Sequence, residues 1–164
     1  MIRELLARVW ELPWPAAMRR PVQKVVSQPG IRAVLFPQFM VGVVGIIENE
    51  RNEYLLLRHT YRGDTPWGLP TGFLEHAEQP ADALKREILE EAGMVVDLTP
   101  VWHVYVDGAR PLVNLVYRGA YRSGAFVPSS EISESDFVSI DRLPPLLPGQ
   151  RGLLEAAHAE EVPH

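Results

Sequence analysis

The sequence predicts an α/β (α+β) domain in which a mixed β-sheet is sandwiched between α-helices. Three observations predict it. Apolar, strand-like runs are spread along the chain rather than gathered in one half. An amphipathic segment, Pro80–Ala92, interrupts them. Helical patterns also stand near both ends, and strands with helices before, between and after them call for cover on both faces of one sheet.

The elements follow in order. Ile2, Leu5, Leu6, Val9 and Trp10 recur at helical spacing, and Pro13 and Pro15 end that pattern. Its apolar face suits packing on the domain or on a second subunit, as in a homodimer. A membrane-surface helix competes, helped by Trp10, Trp14, Arg19 and Arg20 and weakened by the acids on its polar face. Residues 1–35 therefore read as an extension with an amphipathic helix, and 36–164 as the domain proper. Met40–Ile47 is apolar throughout and reads as a buried strand, followed by a polar turn over Glu48–Glu53 and a second strand at Tyr54–Leu57, a hairpin pattern. Arg62–Gly72 is rich in Gly and Pro and predicts a loop. Pro80–Ala92 is a helix with proline at its first position and Gly93 just past its end. Val101–Val106 and Leu112–Tyr117 are strands around an Asp107-Gly108 turn. Phe137–Ile140 is a short last strand, and Gln150–Glu160 a closing helix.

Composition bounds the function. Of 164 residues, 46% are hydrophobic and 23% charged, as in globular rather than disordered chains. The absence of cysteine removes disulfides, zinc–thiolate sites and cysteine nucleophiles. Sixteen Lys and Arg against 21 Asp and Glu leave a net charge of −5, which argues against a nucleic-acid partner. Charges at Arg3, Glu4, Arg8 and Glu11 break any secretory h-region, and no apolar run approaches the roughly 18 residues of a membrane span. A cytoplasmic address without a membrane partner is the expectation.

Winding Pro80–Ala92 at helical pitch puts Ala81, Leu84, Ile88 and Ala92 on a core face and Glu87, Glu90 and Glu91 on the adjacent stripe. Carboxylates at that spacing repel by a few tenths of a kcal/mol per pair, and the helix dipole disfavours them near a C-terminal end. The stripe is either a solvated face balanced by Lys85 and Arg86 or a seat for a divalent cation, which takes hard oxygen ligands. Arg86 stands four residues before Glu90 and can orient it. Gly72 offers a sharp bend and an open carbonyl, and Gly93 a left-handed exit from the helix.

The stripe does not stand alone. From Gly72 the chain reads glycine, five residues, Glu78, seven residues, Arg86-Glu87-Ile88, one residue, Glu90-Glu91, one residue, Gly93-Met94. This resembles the signature of the Nudix hydrolases, GX5EX7REUXEEXGU with U a bulky apolar residue, and every fixed position is met. Thr71 stands where many members carry glycine, a departure that touches no ligand side chain. The resemblance implies the Nudix fold and metal-dependent hydrolysis of a phosphoanhydride in a nucleoside diphosphate linked to another moiety: ADP-ribose, a nucleotide sugar or an oxidised nucleoside triphosphate. It implies Mg2+, or Mn2+ in its place, bound by Glu87, Glu90, Glu91 and the Gly72 carbonyl. Glu78, Arg86 and Gly93 are implied to be structural, and Glu87 and Glu90 to share in catalysis. Some members draw the general base from the box and others from a later loop. Glu131, in the stretch Pro128–Asp136, best matches that distal carboxylate, with Glu134 second.

Arg58 and Arg62 could each clamp phosphate oxygens, and Trp67 or Tyr61 could stack a base. Trp102, His103 and Tyr105 alternate along a strand and give only a weak signal. Arg110-Pro111 lies near where ADP-ribose-cleaving members carry a proline, but offset by a residue or two. The partner is thus a small-molecule nucleotide. Two alternatives compete with this reading. A catalytically silent nucleotide or ADP-ribose sensor would not need the intact Glu87, Glu90 and Glu91. An isopentenyl-diphosphate isomerase of the main branch needs a cysteine that this chain lacks.

Overall fold

A computed structural model describes residues 38–161 continuously, with a few isolated positions ahead of them. The predicted helix around Ile2–Trp10 lies outside the described residues. Contacts divide the chain after Phe39, and the architecture below is that of the second unit.

That unit carries β1 (Met40–Glu48), β2 (Tyr54–His59), β3 (Trp67–Gly68), β4 (Thr71–Phe73), helix α1 (Pro80–Ala92), β5 (Met94–Val106), β6 (Leu112–Gly124), β7 (Ile132–Val138), a 3-10 turn at Ile140–Arg142 and helix α2 (Gln150–Glu161). The seven strands form one sheet, in the order β3-β2-β1-β6-β5, with β4 beside β1 and β7 beside β2. β1 and β6 run parallel while the other pairs are antiparallel, so the sheet is mixed as predicted. Among the described residues, no helix is long and apolar enough to cross a membrane.

Two cores lie on opposite faces, because strand side chains alternate. Val43, Ile47, Leu55, Leu57 and Ile132 pack with Leu84 and Ile88 of α1. Val44, Ile46, Tyr54 and Leu56 pack with Leu154 and Ala157 of α2. Burial on both faces explains why β1 and β2 are apolar runs rather than alternating patterns.

α1 has the predicted bounds, and its C-terminal cap has the expected chemistry. Gly93 has φ +68°, and its N–H donates to the Leu89 carbonyl at 2.9 Å. A Cβ there would also stand 2.8 Å from the Ala125 carbonyl oxygen.

Other bounds differ from expectation. The predicted loop Arg62–Gly72 contains β3 and the start of β4, two strands too short to leave a periodic signal. β5 begins seven residues before Val101; it is an edge strand, and register shifts between Leu98 and Val101 accommodate Pro100. β6 continues past Tyr117 to Gly124. The last strand is Ile132–Val138 rather than Phe137–Ile140, and residues 140–142 turn instead. Its polar run Ser133–Asp136 disguises it, since β7 pairs only with β2 and needs no apolar outer edge.

Gly93→Ala is expected to destabilise the domain by about 1–2 kcal/mol, since alanine would be forced into a left-handed backbone. A denaturant midpoint equal to wild type would contradict that.

Candidate active site

The site is assembled where the N-terminal loop of α1 folds back along the helix. Gly72 lies in β4, opposite Val43 of β1. A Cβ at Gly72 would sit 2.1, 2.4 and 2.5 Å from Cγ, Cδ and Oε1 of Glu87. The glycine therefore gives clearance for a carboxylate laid across the strand. The bend expected at Gly72 is absent, as its φ is not positive. The Phe73 N–H donates to Glu87 Oε1 at 3.4 Å, tying the side chain to β4.

Arg86 organises the loop. Its Nε donates to Glu78 Oε1 at 2.9 Å and its Nη2 to Glu78 Oε2 at 3.1 Å, a bidentate pair. Hydrogen bonding to Arg86 holds the Glu78 carboxyl below the usual carboxylate range. Nη2 also donates to the Phe73 carbonyl at 3.3 Å, and the Glu75 N–H donates to Glu78 Oε2 at 3.1 Å. The loop is strained at Ala77, whose φ is +65°, and these bonds hold it in place. Nη1 reaches 3.2 Å from both Glu87 Oε1 and Glu90 Oε2. Glu78 and Arg86 thus tie the loop before the helix to the helix itself.

Glu91 is treated differently. Its Oε2 is buried without a hydrogen-bond partner. Burial first, then the charges of Glu87, Glu131 and Glu90, push its pKa up to about 7, with Arg62 pulling the other way. Glu131 belongs to this neighbourhood. It sits just before β7, with its carbonyl accepting from the Thr60 N–H at 2.8 Å and its own N–H donating to Ser129 Oγ at 3.3 Å. Glu134 is engaged by Arg58, whose Nη1 lies 3.3 Å from its carboxylate.

The arginines separate accordingly. Arg58 is taken up by Glu134 and by Ser133 Oγ at 3.3 Å. Arg62 is half-buried, its Nη1 has no partner, and it is the cation whose field reaches Glu91. Trp67 is not brought to the carboxylates: it packs against the α2-side core and bridges to Leu146.

Among the described residues, no three acidic or histidine side chains stand close enough together to form a ready cation cage. Arg86 draws Glu87 and Glu90 toward itself, and both must turn from it to share a ligand with Glu91. The donor set still fits a hard divalent cation. It offers several carboxylates, a partnerless buried oxygen on Glu91 and a glycine that leaves room beside Glu87.

Two residues were not singled out from sequence. Gln150, at the start of α2, accepts the Leu69 N–H on Oε1 at 3.0 Å and so anchors the segment leading into the box. His59, at the end of β2, is 2% exposed, and neither ring nitrogen has a partner. Only its place in the alternation after Leu55 and Leu57 hints at this burial.

The NUDIX domain model matches residues 38–157. A MutT-like protein of Streptomyces ambofaciens is 32% identical over 118 residues, covering 72% of this chain and 75% of the relative. An ADP-ribose pyrophosphatase of Methanocaldococcus jannaschii is 26% identical over 133 residues, 78% of this chain and 79% of the relative. Among solved structures, an ADP-ribose pyrophosphatase from Streptococcus suis superposes with a TM-score of 0.64 at 27% identity, covering 77% of this chain and 96% of that one.

Gly72→Ala is expected to weaken Mn2+ binding by about tenfold or more, read by calorimetry, because the added methyl group takes the space in which the Glu87 side chain lies and turns. Wild-type affinity would show the clearance to be irrelevant. His59 supplies a pH signature. Burial and then the Arg62 charge push its pKa from 6.5 down to about 4. The unfolded chain takes up that proton first, so metal-free stability is full above pH 6.5 and falls toward pH 4, by roughly 2–3 kcal/mol. His59→Gln should flatten that part of the stability profile, and an unchanged slope would contradict the assignment.

Proposed function

The chain belongs to the NUDIX family, and from that premise we propose that it hydrolyses a nucleoside diphosphate linked to another moiety, using Mg2+ or Mn2+ held by Glu87, Glu90 and Glu91. That it is a Nudix pyrophosphohydrolase follows from membership. The family acts on small-molecule nucleotides and generally uses a divalent metal. The reading of this chain's own site rests chiefly on one observation: the partnerless Glu91 oxygen, buried among like charges.

A bound divalent cation supplies positive charge that neutralises the diphosphate oxygens and acidifies nearby water. The protein does the rest. Glu91 and Glu87 would hold the cation, with Gly72 giving Glu87 its room. Glu90, paired with Arg86, can switch partners toward the site at small cost, as it is the most exposed of the three. Glu131 is our choice for general base. Its carboxylate has no ion pair among the described residues and its field reaches Glu91, so it is free to take the proton from the attacking water. Glu90 is the alternative within the box. Arg62 offers its partnerless Nη1 to a phosphate oxygen, ahead of Arg58, whose Nη1 is engaged by Glu134 and Ser133. ADP-ribose is the first substrate to test, given the two relatives named for it. Nucleotide sugars and oxidised nucleoside triphosphates come next. A cytoplasmic setting is proposed with this reading, and a homodimer stays a proposal of the amino-terminal apolar face.

A nucleotide panel assayed with and without Mg2+, in 18O-labelled water, tests the proposal. Turnover should require the metal, with label on a single phosphorus. No turnover of any diphosphate compound while a ligand still raises the Tm would favour a sensor. Glu91→Gln should lose about 100-fold or more in kcat. The same variant should stabilise the metal-free protein at pH 8, where the wild-type carboxylate must ionise while buried. Full turnover by Glu91→Gln would remove Glu91 from the ligand set.

A further inference from the structure

His59 is the most deeply buried titratable side chain beside the site, and nothing above gives it a task. It follows Leu55 and Leu57 on β2, and its register partner is Ile132; all three belong to the α1-side core. A neutral imidazole donates from one nitrogen and accepts at the other. Here both nitrogens are buried with no partner. An apolar side chain would fill this position without that penalty, so packing alone does not account for histidine.

Its surroundings supply a reason. Arg62 lies close enough for its charge to oppose protonation of the ring, and Arg62 Nη1 is likewise buried without a partner. A Cβ on Gly68 would come within 2.4 Å of that nitrogen, so the glycine makes the slot in which the guanidinium lies. The field of Arg62 in turn reaches Glu91, whose Oε2 is the fourth partnerless buried atom of this group. Donors without acceptors stand on one side, and an acceptor without a donor on the other. An anion paired with a cation satisfies both, and a metal-complexed diphosphate is such a pair.

We propose that His59 and Arg62 form a phosphate subsite, in which one ring N–H of His59 and Nη1 of Arg62 hold nonbridging oxygens of the same phosphoryl group. The inference rests on the functional reading above and gives His59 a place in it. Tyr61 closes the subsite: its ring stands edge-on to His59 at 5.4 Å between centroids, with the Arg62 guanidinium carbon 5.8 Å from the ring centre. Tyr61 is itself 63% exposed, so turning it outward to admit the phosphoryl group costs little packing. A neutral imidazole suits the role, because it donates without needing a proton from solvent.

The test uses the Mg2+-loaded full chain and the non-hydrolysable α,β-methylene analogue of ADP, with affinity read by calorimetry. His59→Phe should weaken the analogue by about tenfold, while His59→Gln, which keeps an N–H donor, should stay within about threefold. Arg62→Lys should lose about tenfold, and Mg2+ affinity measured alone should be unchanged in all three variants. In the wild type, a ring 15N resonance of His59 should shift on adding the analogue, which keeps the proposal testable where His59→Phe fails to fold. Wild-type affinity in His59→Phe, or a 15N resonance that ignores the analogue, would make His59 a core residue and overturn the proposal. Inorganic pyrophosphate separates this claim from the functional one. If no nucleotide is turned over but pyrophosphate still moves the His59 resonance, the functional reading falls and the subsite stands; if pyrophosphate and the analogue both fail to bind, the subsite falls.

Discussion

The structure depends on how it balances negative charge packed along one turn of one helix. Glu87, Glu90 and Glu91 crowd the end of α1, where the helix dipole disfavours anions. Arg86 relieves most of this. It pairs with Glu78 in two bonds and reaches Glu87 and Glu90 with its remaining nitrogen. Glu91 is beyond its reach and points where water cannot compensate, so its carboxyl is pushed toward neutrality. Folding by itself would place a glutamine or an apolar residue there. On the proposed reading, a divalent cation completes this carboxylate.

The rest of the domain keeps that charge in place. Apolar residues on both faces of β1 and β2 fix the sheet between two helices, and Leu84 and Ile88 set the rotation of α1 on it. Pro80 and Gly93 fix where the helix starts and stops, and therefore which residues form its acidic stripe. Gly72 lets β4 pass beneath Glu87, and Gly68 lets β3 pass beneath Arg62. Glu131 arrives from β7, held by a backbone bond to Thr60 at the end of β2. Four segments distant in sequence thus supply one site, through glycine clearances and strand pairing rather than through a single loop.

Much of this was legible in the sequence. The fold class, the bounds of α1 and the helix-capping role of Gly93 follow from periodicity and end signals, which are local. That Glu87, Glu90 and Glu91 share a helix end is legible because spacing is rigid on a helix. What was not legible is contact at a distance. Nothing near Gly72 tells that Glu87 lies across it, so a bend was expected where clearance is the reason. The last strand was placed too late because Ser133–Asp136 has the composition of a loop, and only pairing with β2 makes it a strand. Arg58 and Arg62 looked alike until Glu134 claimed the first. Trp67 looked suited to stacking a base until its side of the sheet was known. His59 gave almost no signal, since its character comes from partners it does not have.

The most direct test is the titration of the Glu91 side-chain carboxyl by 13C NMR, with and without Mg2+. The metal-free protein should show an apparent pKa near 7, and adding Mg2+ should bring it below the ordinary value of 4.5. A carboxyl that titrates near 4.5 without metal, or one that titrates identically with and without Mg2+, would contradict this.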